Sequence, residues 1–308
     1  MTDPERAGDE TGIALRAAEP RRCTVCEATM RETRHPWCFR CPQCGFLAST
    51  LPAHIDDGAA ADAVDEKRRE DALTRLRKKN FERILDLLGE HAGYAGGEFL
   101  EVGCAHGWFL DAAARRGYNV HGIEPDGPMA EVAARRGYDV KVGFFPQSLD
   151  ANRRYDIIVF NDVFEHLPDV RSAIAACRVR LRPRGLLVVN LPSSRGTLFR
   201  VAALMDRLGI SGPYERLWQK GFPSPHLSYF HPAALTRFVE RQGFAQIYSG
   251  RLDSIDVRGL WQRVRYDRNA GVASSAIIWT GVMIASPLLR LLPEDIALQI
   301  FRVRAGQS

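Results

Sequence analysis

The sequence predicts an α/β protein: an open, doubly wound, mostly parallel sheet preceded by a small cysteine-rich module. Three observations predict it. Glu98–Trp108, EFLEVGCAHGW, reads as a short apolar strand, a glycine-bearing turn and the start of a helix. That is a buried parallel strand feeding a turn whose backbone approaches a ligand. A second strand, Val120–Ile123, ends in Glu124, an acidic residue roughly 20 positions past the turn, placed to bond a ribose diol. Tyr155–Asn161, YDIIVFN, is a continuous apolar run, as expected of a strand covered on both faces. Together they indicate a nucleoside-containing cofactor at the carboxyl end of the sheet.

The turn distinguishes between cofactors. A dinucleotide site needs G-x-G-x-x-G, so that a pyrophosphate sits on the helix N-terminus. Here the pattern is E-x-G-x-A-x-G, with Glu101, Gly103, Cys104, Ala105 and Gly107. It resembles motif I of the class I S-adenosylmethionine-dependent methyltransferases, with Ala105 in place of the middle glycine. A methyl group there is compatible with the turn if φ is negative. Asp162–Val170, DVFEHLPDV, resembles motif IV of that family, where the strand end and following loop face cofactor and substrate. Arg182–Asn190, RPRGLLVVN, resembles the next turn and strand. The resemblance covers about residues 70–305. It implies the Rossmann-like methyltransferase sheet and S-adenosyl-L-methionine as cofactor. By the same resemblance Glu101, Gly103, Cys104, Ala105, Gly107, Glu124, Asn161 and Asp162 surround the cofactor. Gly143-Phe144-Phe145 lies near its adenine, where Phe144 either stacks on the ring or packs in the core. Glu101 and Glu124 have an alternative use, accepting bonds from neighbouring amides.

Elements follow in order. A helix runs from about residue 66 through Leu88, with Leu73, Leu76, Phe81, Ile84, Leu85 and Leu88 on one stripe. Strands are expected near 98–102, 119–124, 139–142, 155–161 and 185–190, and helices near 107–117, 127–136 and 169–181. ARRGY occurs at Ala114–Tyr118 and again at Ala134–Tyr138, each copy ending a helix in glycine before a strand. Residues 191–231 read as a long insertion containing four prolines. A helix at 232–242, a strand at 244–249, an irregular stretch at 250–271, an apolar helix at about 272–292 and a strand near 297–303 complete the chain.

Five of the seven cysteines fall within Cys23–Cys44. The paired C-x-x-C spacing is that of a tetrahedral zinc ribbon. Cys23, Cys26, Cys41 and Cys44 are the expected ligands, with Cys38 as the alternative to Cys41. Cys104 and Cys177 read as buried apolar residues. The chain thus divides into a disordered tail at 1–20, a structural Zn²⁺ ribbon at 21–50, a linker at 51–65 and the methyltransferase domain at 66–308. Similar ribbons precede the domain in a resembling subgroup that acts on sugars and natural products.

The acceptor side offers three histidines, His166, His226 and His231. HLSYFHPAALTRFVERQGF, starting at His226, resembles the stretch between the fifth and sixth strands. In the sugar C-methyltransferases it resembles, a Glu-His pair precedes the tyrosine-phenylalanine element and the histidine is implicated as base. Here Pro225 precedes His226, so that carboxylate partner is absent. His226 is therefore read as a base or substrate contact, or as a loop residue bonded to backbone, with Tyr229 beside it. His166 is read as a helix-start cap or a substrate contact.

Hydrophobic residues at 45% and charged residues at 26% are ordinary globular values, and they fit an enzyme. The net charge of +5 comes with scattered arginine pairs, so no nucleic-acid face is expected. The strand end of base amino-methyltransferases is missing too: Asn161-Asp162-Val163-Phe164 stands there. MTDPERAGDE is no secretory signal, and a cytoplasmic location is expected. Val272–Leu289 carries no charge. Burial, or peripheral contact with the inner membrane face, is expected of it rather than a span. The acceptor is expected to be small or carrier-linked, a sugar or natural product ahead of a quinone, methylated on oxygen or carbon. The competing class is a non-catalytic binding protein, for which Ala105 is the hint.

Overall fold

The computed structural model describes residues 21–53, 66–93, 96–254, 276, 279–281, 283 and 295–304. The expected disordered tail, most of the linker, and nearly all of the 250–271 and 272–292 segments lie outside the described residues.

Apolar runs set the sheet. Its strands are β4 (Gly97–Val102), β5 (Tyr118–Glu124), β6 (Asp139–Val142), β7 (Tyr155–Asn161), β8 (Leu181–Pro192), β10 (Phe244–Leu252) and β11 (Ile296–Val303). Their order is β10-β11-β8-β7-β4-β5-β6. Every neighbouring pair is parallel except the two made by β11, which is antiparallel to β8 and β10. Strand order reverses at β4, which pairs with both β5 and β7. The crevice at the carboxyl ends of β4 and β7 is where such sheets bind ligands.

The central strands are apolar throughout because both faces are covered. Ile157 and Val159 join one core with Phe81, Ile84, Leu88, Phe99 and Phe109. Ile158 and Phe160 join the other with Leu100, Val102, Leu187, Phe238 and Phe301. α1 (Glu66–Ala92) and α2 (Trp108–Arg115) lie on the first face, and α4 (Val170–Arg180) and α7 (Pro232–Glu240) on the second. α3 (Gly127–Arg135) covers β6. Leu76, Phe81, Ile84, Leu85 and Leu88 of α1 are buried as its stripe requires.

The cysteine-rich segment contributes β1 (Arg31–Glu32), β2 (Cys38–Arg40) and β3 (Leu47–Ser49). It does not hang on a linker. β3 pairs with β9 (Ser228–Tyr229), a strand of the long insertion, to give a four-stranded sheet β1-β2-β3-β9. Phe46 packs on Phe230 with ring centroids 4.7 Å apart, inside the second core. Burying one such phenylalanine contributes about 2 kcal/mol.

The insertion, to which the sequence reading assigned no elements, is partly helical. It holds α5 (Thr197–Arg207) and α6 (Gly212–Leu217). Their aromatic residues, Phe199, Tyr214 and the adjacent Trp218, form a third core with Tyr229 and Cys38.

Candidate functional site: a cofactor turn and an acceptor cluster on one loop

The turn after β4 is built from left-handed backbone. Gly103 has φ +72 and Gly107 φ +78. Ala105 between them has φ +45, so the condition of a negative φ for a methyl at this position is not met. An L-residue is strained in that region. The turn holds it because the Ala105 amide donates to Glu124 Oε2 at 2.9 Å. Gly107 is the cap of α2, and no side chain bonds the first amides of that helix. A Cβ on Gly103 would stand 2.4 Å from Val163 Cγ2. The space there belongs to the loop after β7, not directly to a ligand.

Glu124 receives amides on both oxygens, Ala105 on Oε2 and Asp126 on Oε1, each at 2.9 Å. The amide-accepting alternative is therefore realised, and each carboxylate oxygen keeps a second acceptor position. Burial raises its pKa. Glu101 is buried, and its Oε2 has no hydrogen-bond partner among the described residues. Burial first and then the charge of Glu124 push its pKa well above the carboxylate range, against bonds from Asn161 and the Leu110 backbone. An orphaned buried carboxylate oxygen beside a strained glycine turn fits a cofactor with a cationic or hydroxyl donor.

Of the remaining expected cofactor residues, Asp162 takes φ +55 and accepts from Asn190 Nδ2 at 3.1 Å. Phe144 is 49% exposed, so its ring is not a core residue; Phe145 is the buried one. The Cys104 side chain is buried in the first core beside Gly122, as its reading as a buried apolar residue expects, and its backbone forms part of the turn.

The acceptor side gathers on the loop after β7. Phe164–His166 forms a single 3₁₀ turn, so His166 closes a turn rather than capping a helix start. Its Nδ1 lies 3.0 Å from the Pro225 carbonyl. A carbonyl only accepts, so Nδ1 carries the proton and Nε2 the lone pair. Glu165 Oε1 lies 4.0 Å from His166 Nε2 and 4.0 Å from His226 Nε2. A carboxylate therefore stands near His226 despite Pro225, brought by Glu165 from the other side of the loop pair. Sequence reasoning passed over Glu165 as a site residue; its adjacency to His166 was the available signal. The backbone locks this arrangement, with the Leu227 amide donating to the Glu165 carbonyl at 2.8 Å.

His226 is buried and tightly oriented. Tyr229 Oη donates to the Leu217 carbonyl at 2.8 Å and lies 3.0 Å from His226 Nδ1. The hydroxyl's hydrogen is committed to Leu217, so Nδ1–H donates to Oη, and Nε2 keeps its lone pair. Gln219 Nε2 caps that lone pair at 3.0 Å. Burial, and then the charge of His166, lower the His226 pKa well below its ordinary value, and the ring is neutral. Tyr229 is buried among aromatic rings, which corrects its expected catalytic place: it orients His226 and does not face a cleft. Burial and then Asp162 raise the Glu165 pKa, and its Oε2 has no partner among the described residues. His231 caps α7 and donates from Nε2 to the Cys44 carbonyl at 2.7 Å.

In the small module, Cys23, Cys26, Cys41 and Cys44 bring four sulfurs within 4.8 Å of one another. Cys23 and Cys44 sulfurs are 3.5 Å apart, Cys26 and Cys41 3.4 Å. Tetrahedral zinc with four thiolates needs about 3.8 Å, so the donor set fits with small shifts. Cys38 is not in the cluster. Its sulfur lies 3.6 Å from Tyr214 Oη in the third core.

The fold agrees with that of known proteins. A family described as "Methyltransferase domain" matches residues 67–249, more than half of the chain. The chain belongs to that family. It carries a methyltransferase domain. A chain from the complex between the Haloferax volcanii Trm112 methyltransferase activator and a methyltransferase superimposes with TM-score 0.55 at 14% identity, covering 83% of this chain and 100% of that one. A Galdieria sulphuraria structure described as a sarcosine dimethylglycine methyltransferase gives 0.51 at 15% identity, covering 82% and 94%. At these identities the likeness is one of fold.

Among curated relatives, the ubiquinone biosynthesis O-methyltransferase of Erwinia tasmaniensis is 32% identical over 109 residues, 33% of this chain and 45% of that protein. The Coxiella burnetii protein of that name is 27% identical over 194 residues, 61% and 74%. The methyltransferase therefore spans less than half of the first relative and about three quarters of the second. Among the described residues no helix is long and apolar enough to cross a membrane.

Proposed function

We propose that this methyltransferase transfers a methyl group to an oxygen of a small or carrier-linked acceptor bound against Glu165, His166 and His226. One observation carries the reading. A single loop presents Val163 to the cofactor turn at Gly103, and Glu165 with His166 to His226. Cofactor side and acceptor side are therefore joined within a few residues. The relatives' names favour an oxygen acceptor over carbon. A sugar or other natural product is the first reading of the acceptor, and a quinone-type phenol is the second.

When bound, S-adenosyl-L-methionine supplies an electrophilic methyl group on a sulfonium. Glu101 and Glu124 would hold it, with the backbone of the Gly103–Gly107 turn, whose own amides largely bond within the protein, packed against it. His166 and His226 hold the acceptor's hydroxyl at Nε2, on His226 by displacing the Gln219 amide, and His226 draws its proton as the oxygen–carbon bond forms and the carbon–sulfur bond breaks. Orientation and exclusion of water supply the rest. Cys23, Cys26, Cys41 and Cys44 are proposed to hold a structural zinc ion that keeps the β3–β9 pairing in place.

Labelled cofactor incubated with sugar, polyketide and phenol acceptors tests the reading. Methyl ether formation by one class, lost in His226→Ala, is expected. Carbon methylation, or no transfer to any hydroxyl, would count against it.

A further inference from the structure

We propose that Glu165, His166 and His226 form a second metal site, distinct from the cysteine cluster, which binds a divalent transition-metal cation such as Zn²⁺. The inference rests on the placement of the acceptor side given above, and it adds a ligand to that side.

Three observations carry it. The first is convergence. The carboxylate and the two imidazoles place one ligand atom each within 4.8 Å of the others, and Glu165 Oε1 is 4.0 Å from both Nε2 atoms. Ligand atoms of a tetrahedral zinc ion bound by nitrogen and oxygen are about 3.4 Å apart. A closure of about 0.6 Å for the two Glu165 distances, and of at most about 1.4 Å for any pair, brings them to that spacing.

The second is orientation. His166 directs Nδ1–H to the Pro225 carbonyl, and His226 directs Nδ1–H to Tyr229 Oη, which is itself committed to the Leu217 carbonyl. Each ring therefore keeps its lone pair on Nε2, the nitrogen that lies nearer Glu165. Fixing the far nitrogen by a hydrogen bond to oxygen is how metal-ligating histidines are held. A histidine pair built only to bond a carboxylate would need a proton on Nε2 instead.

The third is charge. Glu165 is 2% exposed, and its Oε2 finds no hydrogen-bond partner among the described residues. A divalent cation offsets a carboxylate buried in this way. Two nitrogens and one carboxylate are the protein ligands of catalytic zinc sites that keep a position open. The Gln219 amide now caps His226 Nε2 through nitrogen. Turned over, it presents its carbonyl oxygen, so no side chain has to be expelled. The open position would receive the acceptor's oxygen. In that state the cation takes over the polarising role that the histidine lone pairs have without it.

The full chain, dialysed against micromolar Zn²⁺ and analysed for metal, tests the site directly. Two equivalents per chain are expected. Glu165→Gln and His226→Ala should each bind one, and Cys44→Ser should lose the other one. Tyr229→Phe should weaken the second equivalent by ~10-fold, since it only orients a ligand. Circular dichroism and cofactor calorimetry on each variant show that it folds. One equivalent in the wild-type chain, lost in Cys44→Ser, would overturn the site. So would two equivalents that persist in a folded Glu165→Gln. The acceptor reading fails separately. If metal binds as expected and His226→Ala still methylates its acceptor at the wild-type rate, the metal site stands and the acceptor placement falls. If one equivalent binds and His226→Ala is inactive, the reverse holds.

Discussion

Ser49 donates its hydroxyl to the His226 carbonyl at 2.8 Å. Its amide also donates to the Leu227 carbonyl at 2.9 Å. The cysteine module thus grips the backbone of the histidine that sits on the acceptor side. Further ties run from His231 to Cys44, from Arg241 to Val25 and from Arg171 to Thr24, all through carbonyls of the module. The module acts as a wall of the site and not as a separate appendage.

Loss of the cluster should therefore damage turnover more than cofactor binding. Cys44→Ser is expected to lose the ribbon zinc and lower kcat by ~10-fold or more, with S-adenosylmethionine affinity within about twofold of wild type. The large parallel sheet retains its own core. Metal analysis with calorimetry checks this. Unchanged kcat in a zinc-free variant would show that the module does not support the acceptor side.

The cofactor turn gives a paired prediction. Gly103→Val drives a side chain into Val163, and it also places a β-branched residue at φ +72. S-adenosylmethionine binding should fall by at least ~10-fold. Ala105→Gly has the opposite character. It relieves left-handed strain of about 1–2 kcal/mol, against about 0.5–1 kcal/mol of added unfolded-state entropy. Stability should rise by a few tenths to about 1 kcal/mol. Denaturant titration checks it, and a destabilised variant would mean that the Ala105 methyl packs usefully.

Much of the sheet was legible because its information is local. Tyr155–Asn161 is apolar at every core position since both faces are buried, and its boundaries match β7. The helix ends at Gly117 and Gly137 were readable for the same reason. The insertion was not. In α5, Phe199 and Ala202 are buried while Leu198, Val201 and Leu204 are exposed, so its apolar residues do not by themselves tell which of them reach a core. The meeting of Glu165 with His226 was illegible for a different reason. It depends on the Leu227 amide returning to the Glu165 carbonyl, a contact set by topology rather than by spacing.

Tyr229 offers a test of orientation without loss of packing. Tyr229→Phe keeps the ring among Phe199, Tyr214 and Trp218 and removes the oxygen between His226 Nδ1 and the Leu217 carbonyl. Two buried groups lose their partner, at a cost of about 1–3 kcal/mol. Turnover should drop by ~10-fold with KM for cofactor unchanged. A kcat equal to wild type would mean that the His226 tautomer is not set by Tyr229.

The acid sensitivity of the fold should trace partly to the far edge of the sheet. His121 on β5 lies 2.8 Å from Glu98 and 3.1 Å from Asp139, and Arg153 also bonds Asp139. The Arg153 guanidinium first, against burial, and then His121 hold Asp139 below its ordinary 3.8. A depressed pKa means that the folded state favours the ionised carboxylate. Its contribution is fully present above about pH 3.8 and is lost as pH falls through the lower, folded-state value. Asp139→Asn removes that dependence. Unfolding free energies measured between pH 3 and pH 6 should fall less steeply on acidification in the variant than in wild type. Parallel curves for the two proteins would remove Asp139 from the account and leave Glu98, which is lowered in the same direction despite its burial, as the carboxylate responsible.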